Sequence, residues 1–280
     1  MKKRPDSPVL VLGNGGFGTA LALLLHHAGH RVVVWGNDPD YTRQIEECRE
    51  NEKFLPGIPL PDEIRFSPDV RELAVGAEVI VSTVPTQFLR ATLQRLSEHL
   101  PQKALVVSCS KGFERSTLEL PSRLIRATLP QCRVGVLSGP SHAEEVGRRL
   151  PTTVVAAAET PEVASSIQAL MNTSWFRAYT SSDPLGVEIA AATKNVIALA
   201  AGIAQGLGFG DNTGAALVCR GAAEITRLGV ALGARQETFV GLSGIGDLIA
   251  TSTSQHSRNR SVGLRLGKGE TLAEILRSTE

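Results

Sequence analysis

Lys194 is the side chain of this sequence that is best suited to acid–base chemistry. It is the single charged residue in the apolar run Ile189–Ala201, whose pattern predicts one helix. Partial burial disfavours an ammonium group, so the neutral amine becomes available as a general base near neutral pH. The alternative is a lysine at the edge of the helix whose stem is buried and whose charge reaches water.

A cluster of polar side chains near the end of the sequence is suited to hold a phosphate. Ser257, Arg258 and Asn259 are consecutive, and Arg260 adds a second guanidinium group. Such planar, multidentate donors match a phosphate monoester, although a solvated basic turn has the same composition. Asp247 follows a glycine-rich turn and is either a site carboxylate or a helix cap.

Further candidate ligand-binding residues follow two short apolar runs of the sequence. Lys111 comes after Ala104–Ser108, and Gly139 and Ser141 come after Val134–Leu137. If both runs are strands of one doubly wound sheet, these residues lie at the carboxyl ends, where ligands bind in such folds. Gly139 would admit close approach to the backbone, and Ser141 is expected to cap the helix that follows. A solvated loop lysine and a serine that only caps are the competing interpretations.

The first part of the sequence predicts the scaffold that these residues need. Continuous apolar runs, typical of strands covered on both faces, alternate with helical patterns, which predicts an α/β fold of the Rossmann type with a doubly wound parallel sheet. The predicted strands are Val9–Leu12, Arg31–Trp35, Glu78–Val84, Ala104–Ser108, Val134–Leu137, Thr152–Ala156 and Trp175–Tyr179. The predicted helices are Thr19–Ala28, Asp38–Glu50, Gln87–Leu100, Leu118–Thr128 and Pro161–Met171.

The pattern changes near Ser182. Beyond it the sequence is rich in alanine and leucine, with no further strand signal, which predicts an all-α second domain. We therefore expect a dinucleotide-binding domain over 1–182 and a helical substrate domain over 183–280. The proline-rich stretch Phe54–Pro61 is predicted to be a loop.

The motif Gly13-Asn14-Gly15-Gly16-Phe17-Gly18 lies between the first predicted strand and the first predicted helix. In this context the glycines allow a tight turn, close approach of a pyrophosphate and close packing of helix on strand. The helix N-terminus adds N–H groups and the positive end of its dipole. The motif alone is a weak signal, but its place between strand and helix predicts that Gly13, Gly15, Gly16, Phe17 and Gly18 bind a dinucleotide.

In such folds the residues just after the second strand face the adenosine ribose of the cofactor. In this sequence those residues include Asn37 and Asp38. Asp38 would accept from ribose hydroxyls and favour NAD, but Asp38-Pro39 is equally typical of a helix start. We therefore include Asn37 among the cofactor residues and leave the choice between NAD and NADP open.

Bulk composition excludes several classes of protein. With 280 residues and a net charge of +1, the sequence lacks the basic excess of a nucleic-acid-binding protein. No apolar run reaches the roughly 20 residues of a membrane span, and the basic start is not followed by a signal-peptide core. Four scattered cysteines and six histidines predict neither disulfides nor a metal site. We expect a cytoplasmic protein; its oligomeric state is left open, with a homodimer as one expectation.

Taken together and in order, the motifs are far more specific than any one of them. Over essentially its whole length the sequence resembles the bacterial NAD(P)-dependent glycerol-3-phosphate dehydrogenases. The matching segments are Gly13–Ala20, Ser110–Gly112, Ser138–Ala143, Lys194–Ala198, Gly206–Asn212, Gly244–Leu248 and Ser257–Asn259.

The resemblance implies a role for each matching residue. Lys194 would accept the proton from glycerol 3-phosphate. Residues implied around the substrate are Lys111, Gly139, Ser141, Asp247, Ser257, Arg258 and Asn259, and those implied to touch the dinucleotide include Gly16, Phe17, Lys111, Ala143 and Arg258. It also implies a supply of glycerol 3-phosphate for phospholipid synthesis.

The sequence departs from the family pattern at two points, and two other functions are compatible with its motifs. Asn37 stands where related chains often have His or Arg, and related chains continue beyond Glu280 with helices and a cofactor-side glutamate. We therefore expect an uncovered apolar face around Ala215–Leu232 or Leu242–Ile249, with self-association or lower stability there. The rivals are a dehydrogenase for another β-hydroxy acid or sugar phosphate, and a non-catalytic nucleotide-binding module.

Overall fold

Strands and helices alternate through the first two thirds of the chain, and a series of helices follows. The computed structural model describes residues 7–278, so the basic amino terminus and Glu280 lie outside the described residues. The strands are β1 Val9–Leu12, β2 Val32–Trp35, β3 Glu50–Asn51, β4 Leu55–Pro59, β5 Arg65–Ser67, β6 Val79–Ser82, β7 Leu105–Ser108, β8 Arg133–Ser138, β9 Thr152–Ala158 and β10 Phe176–Ser181.

The α-helices include short single turns as well as long packed helices. They are α1 Gly16–His27, α2 Pro39–Cys48, α3 Val70–Leu73, α4 Thr86–Leu96, α5 Pro121–Thr128, α6 Ala143–Gly147, α7 Pro161–Met171, α8 Pro184–Gly206, α9 Asp211–Ala231, α10 Gln236–Phe239, α11 Asp247–Thr253, α12 Arg258–Gly267 and α13 Leu272–Arg277. A 3₁₀ turn at Ser97–His99 extends α4, and a π-helical turn at Leu242–Gly246 leads into α11. The chain divides into two compact units between Pro184 and Leu185.

The first unit is built on an eight-stranded sheet with the order β10-β9-β8-β7-β6-β1-β2-β5. Side chains of β1 alternate between its two faces: Val9 and Val11 pack with α1, whereas Leu10 and Leu12 pack with Leu89 of α4. Both faces are therefore covered, as the continuous apolar runs predicted. The predicted Rossmann-type sheet is confirmed.

The expectation of a wholly parallel sheet is wrong at one edge. Strand β9 pairs antiparallel with β8, and β10 pairs parallel with β9, so these two strands run opposite to the rest. The physical reason is the connection after β8, which contains only the five-residue helix α6. Such a helix is about 7 Å long, whereas a six-residue strand spans about 20 Å, so the helix cannot carry the chain back to the other end of the sheet.

The prediction of a loop over Phe54–Pro61 is also wrong. Leu55–Pro59 forms β4, which pairs antiparallel with β3, and Gly57 adopts a φ of 75° and donates its N–H to the Glu50 carboxylate at 2.7 Å. Prolines are tolerated because a two-stranded sheet has only edge strands. The short edge strand β5 was not predicted at all.

In the second unit, the residues that the structure describes form helices and no strand, as predicted. Helix α8 is long and apolar enough to cross a membrane. The core helices of folded proteins meet the same two criteria of length and composition. Its buried side includes the charged residues Glu188 and Lys194. Large apolar side chains are exposed on this unit, among them Val196, Leu207, Phe209, Leu228, Val230, Leu232 and Ile249.

Candidate functional site

The glycine-rich turn after β1 is shaped by close backbone contacts. Gly13 has a φ of 110°, and its N–H donates to the carbonyl oxygen of Trp35 at 2.9 Å. A Cβ at Gly18 would lie 1.9 Å from the Gly13 oxygen, and one at Gly16 would lie 2.4 Å from the Phe54 oxygen. No side chain fits at these positions, so the turn can be formed only with glycine there.

Gly15, in contrast, faces open space. A Cβ placed on it would meet no atom within 4 Å, and it is the N-cap of α1 without a side-chain capping bond. Helix α1 begins at Gly16, three residues before the predicted start at Thr19. The first N–H groups of a helix have no intrahelical partner, so this turn offers donors and a positive dipole end to an anion. The geometry fits the pyrophosphate of a dinucleotide.

A buried amide, which no pattern in the sequence predicted, holds the turn in this shape. Asn51 has no exposed surface; its Nδ2 donates to the Asn14 carbonyl at 2.9 Å and to the Thr19 hydroxyl at 2.6 Å. Its Oδ1 accepts from the hydroxyl of Tyr41 at 2.6 Å and from the N–H of Phe54 at 3.2 Å. Residues of β3, α2 and the next turn thus support the predicted phosphate loop.

Ala143 lies beside this loop. Its Cβ would be 3.7 Å from a Cβ at Gly16, and the half-buried Phe17 and Ala143 pack against the same core cluster. The structure therefore brings together two chain segments that the sequence analysis could link only through a family resemblance.

Gly139 and Ser141 follow β8, but the expected capping role of Ser141 is wrong. The Ser141 hydroxyl donates to the Gly139 carbonyl at 3.0 Å, and the N-cap of α6 is His142, without a side-chain capping bond. Gly139 has a φ of 147°, and a Cβ there would lie 2.9 Å from the Cα of Val154 in β9. The hydroxyl therefore stabilises the turn after β8 rather than the helix.

Lys111 follows β7 on a loop that is fixed at several points. Thr86 of α4 donates to the Lys111 carbonyl at 3.0 Å, and the Ser110 hydroxyl donates to the Val84 carbonyl at 2.5 Å. Burial raises the pKa of the Cys109 thiol to about 12, so this residue stays uncharged beside Lys111. The backbone of the loop is held at the carboxyl ends of β6 and β7.

A bidentate ion pair anchors the rest of this loop. Arg90 of α4 donates through Nε and Nη2 to the two carboxylate oxygens of Glu114, each at 2.8 Å. Thr117 also donates to this carboxylate. These bonds, with Arg90 first among them, lower the pKa of Glu114 to about 2. The Glu114 carboxylate is therefore ionised at neutral pH and links the loop that begins at Lys111 to α4.

Asn37 and Asp38 lie exposed at the end of β2. Asp38 caps α2, accepting from the N–H groups of Asp40 at 3.0 Å and Tyr41 at 3.1 Å. Of the two interpretations left open, capping is confirmed, and the carboxylate remains exposed at the strand end. Asn37 accepts a hydrogen bond from Arg95 at 2.7 Å.

In the helical unit, Lys194 of α8 forms a buried cluster with two residues of α11. Its Nζ lies 2.5 Å from Oδ1 of Asp247 and 2.7 Å from the hydroxyl of Thr251. The Thr251 hydroxyl donates in turn to the Asp247 carbonyl at 2.7 Å. The carboxylate favours the ammonium form of Lys194, whereas burial disfavours it. Thr251 was missed by the sequence analysis, although it stands one helical turn after Asp247.

The polar cluster Ser257–Asn259 forms the start of α12. Ser257 is buried and caps the helix by accepting from the N–H of Arg260 at 3.3 Å, whereas Arg258 is exposed at the first helical position. Asn259 is half-buried beside it. A guanidinium group and a helix N-terminus at one place provide donors for a phosphate.

Helix α12 is fixed on α8 by four glycines. Cβ atoms at Gly202 and Gly206 of α8 would lie 2.1 and 2.4 Å from backbone oxygens of α12. Cβ atoms at Gly263 and Gly267 would lie 2.1 and 2.3 Å from backbone oxygens of α8. The two backbones therefore touch directly, and the helix that begins at Arg258 is held against the helix that carries Lys194.

Each unit thus assembles part of the predicted residue set. The first brings Ala143 to the glycine loop and presents Lys111, Gly139 and Ser141 after the adjacent strands β7 and β8. The second joins Lys194 to Asp247 and places Arg258 at a helix start. Within residues 7–278 no cluster of three His, Cys, Asp or Glu side chains is arranged to hold a metal ion.

Comparisons with known proteins point to one family. The family model described as the NAD-dependent glycerol-3-phosphate dehydrogenase N-terminus matches residues 8–164, and that of the C-terminus matches residues 183–280. Glycerol-3-phosphate dehydrogenase [NAD(P)+] from Geobacter sp. strain M21 is 48% identical over 96% of this chain and 81% of its own length. The corresponding protein of Moorella thermoacetica is 50% identical over 96% and 80%. The crystal structure of glycerol-3-phosphate dehydrogenase from Coxiella burnetii superposes with a TM-score of 0.94 at 34% identity, covering 98% of this chain and 84% of that one.

Proposed function

The chain belongs to the NAD-dependent glycerol-3-phosphate dehydrogenase family, and we propose that it interconverts glycerol 3-phosphate and dihydroxyacetone phosphate with NAD(P). The observation that carries this proposal is the buried cluster of Lys194, Asp247 and Thr251. A nicotinamide cofactor, when bound, supplies or accepts the hydride. We further propose that the enzyme is cytoplasmic, provides glycerol 3-phosphate for phospholipids and forms a homodimer.

Lys194 acts as the proton donor and acceptor at the C2 oxygen of the substrate. The ion pair with Asp247 favours the ammonium form, which is the form needed to protonate the oxygen as the ketone is reduced. In the oxidation, the neutral amine of Lys194 takes the proton of the C2 hydroxyl and becomes the ammonium form. Asp247 and Thr251 hold the amine in one orientation, which positions it for proton transfer.

Phosphate recognition is assigned to residues remote from the reacting carbon. Arg258 and the first N–H groups of α12 bind the substrate phosphate, with Asn259 beside them, and Ser257 keeps the helix start in shape through its capping bond. The family resemblance also assigns Lys111, Gly139 and Ser141 of the sheet unit to substrate binding. Binding energy at the phosphate would position the C2 atom for reaction.

The proposal is tested by comparing a phosphorylated ketone with its phosphate-free analogue. We expect Arg258→Ala to raise the Michaelis constant for dihydroxyacetone phosphate by about 10–150-fold, the value of one charge-assisted contact, and to change that for dihydroxyacetone little. The matched control is Lys268→Ala, which removes an exposed cation at the opposite end of α12. Equal effects of Arg258→Ala on both ketones, or turnover of a β-hydroxy acid but not of glycerol 3-phosphate, would contradict the proposal.

A further inference from the structure

A guanidinium group from another element lies at the end of β2. Arg95, near the end of α4, donates through Nη2 to Oδ1 of Asn37 at 2.7 Å. The central carbon of the guanidinium group lies 5.3 Å from the ring centroid of Trp35, the last residue of β2. Trp35 is buried, and its indole N–H donates to the Pro68 carbonyl at 2.9 Å, so the ring that supports Arg95 is itself fixed.

This strand end is adjacent to the dinucleotide loop. The N–H of Gly13 donates to the Trp35 carbonyl, so β2 ends directly beside the glycine turn. In doubly wound nucleotide-binding folds the residues at this point face the adenosine ribose, where an acid favours the 2′-hydroxyl of NAD and an arginine accommodates the 2′-phosphate of NADP. The carboxylate of Asp38 and the guanidinium of Arg95 both lie at this strand end, so each form of the cofactor meets a suitable group.

The contacts of Asn37 also favour an anion site at the end of β2. Because its amide accepts from Arg95 through Oδ1, the Nδ2 hydrogens are directed elsewhere as two further donors. An arginine side chain held by an amide on one side and an aromatic face on the other loses less conformational freedom on binding an anion than a free one.

We infer that Arg95 is the residue through which this protein binds the 2′-phosphate of NADP(H), with Asn37 positioning its guanidinium group. The inference rests on the proposed function, because it concerns the cofactor of that reaction. Arg95 would let the chain bind a 2′-phosphate although an asparagine and an aspartate follow β2.

Direct titration of NADPH and NADH fluorescence, without any substrate, tests this inference. In Arg95→Ala we expect the dissociation constant for NADPH to rise roughly 10-fold, and that for NADH to change less than about twofold. Arg31→Ala is the matched control, because it removes an exposed arginine at the opposite end of β2 and should alter neither constant. Arg95→Lys keeps the positive charge but loses the planar, bidentate guanidinium group, so it should recover part of the NADPH affinity.

The outcomes separate this inference from the proposed function. Unchanged NADPH binding in Arg95→Ala would overturn the role of Arg95. An equal loss of affinity for both cofactors would also overturn it, because that result is expected if Arg95 contacts the adenine or only stabilises the structure. In both of those cases NADH binding by the unaltered protein would still support the dehydrogenase. Failure of the unaltered protein to bind either cofactor would overturn the proposed function itself.

Discussion

The Nζ atom of Lys194 lies 2.5 Å from Oδ1 of Asp247, and both side chains are almost entirely buried in the helical unit. A buried ion pair is destabilised strongly, by about 3–5 kcal/mol, when one partner is removed and the other charge stays behind. Lys194→Met alone would therefore change the stability of the helical unit as well as the chemistry. The clean variant removes both charges, as Lys194→Met combined with Asp247→Asn.

The hydroxyl of Thr251 should contribute to turnover by orienting Lys194. We expect Thr251→Val to lower kcat by roughly 5–10-fold, the equivalent of one hydrogen bond of about 1 kcal/mol. Thr253→Val is the matched control on the same helix. Both hydroxyls donate to the carbonyl four residues earlier, Thr251 at 2.7 Å and Thr253 at 2.8 Å, but Thr253 is exposed and Lys194 bonds to Thr251. Equal kcat values for the two variants would refute this role.

Contact between the backbones of α8 and α12 should make Gly263 intolerant of a side chain. A Cβ there would lie 2.1 Å from the Leu199 carbonyl oxygen, so Gly263→Ala must push the helices apart. We expect a loss of about 1–3 kcal/mol in the free energy of unfolding, measured by urea denaturation. Gly214→Ala in α9, where a Cβ meets nothing within 4 Å, should instead stabilise the protein by up to about 1 kcal/mol. Stabilisation by both substitutions would show that the helices are not in direct contact.

The pair formed by Arg90 and Glu114 should stabilise the protein only where the carboxyl is ionised. Because its pKa falls from the ordinary 4.5 to about 2 on folding, its contribution is complete above pH 4.5 and is lost as the pH falls towards 2. The difference in unfolding free energy between the unaltered protein and Glu114→Gln should therefore be largest near neutral pH and shrink in acid. Glu72→Gln, at an exposed carboxyl 2.5 Å from Arg65, is the control. A difference for Glu114→Gln that does not depend on pH would contradict the ion-pair account.

Local patterns predicted a large part of this structure. The bounds of β1 and α7 agree with the predictions, because uninterrupted apolar runs and a proline-initiated helix are properties of contiguous residues. The glycine turn was predicted for the same reason, since a strand, a turn and a helix follow one another directly. Lys194 was singled out because a charge within an apolar helix is visible in the sequence.

Contacts between distant segments could not be predicted. The bond from Arg95 to Asn37 spans 58 residues and that from Lys194 to Thr251 spans 57, and no local pattern links such pairs. The direction of β9 depends on how far the preceding connection can reach, and β3 and β4 are stabilised by pairing rather than by their composition. The contacts between α8 and α12 depend on glycines spaced four apart on both helices, a signal that was present but not used.

The most direct test of the central claim is one rapid-mixing experiment, in which NADH-loaded protein meets dihydroxyacetone phosphate and NADH absorbance is followed. We predict oxidation of NADH by the unaltered protein and a rate about 10²–10⁴-fold lower in the double variant Lys194→Met and Asp247→Asn, the usual contribution of a general acid or base. NADH affinity, measured on the same samples, should be retained in the variant. Oxidation at the unaltered rate in the double variant, or no oxidation by the unaltered protein despite bound NADH, would contradict the account.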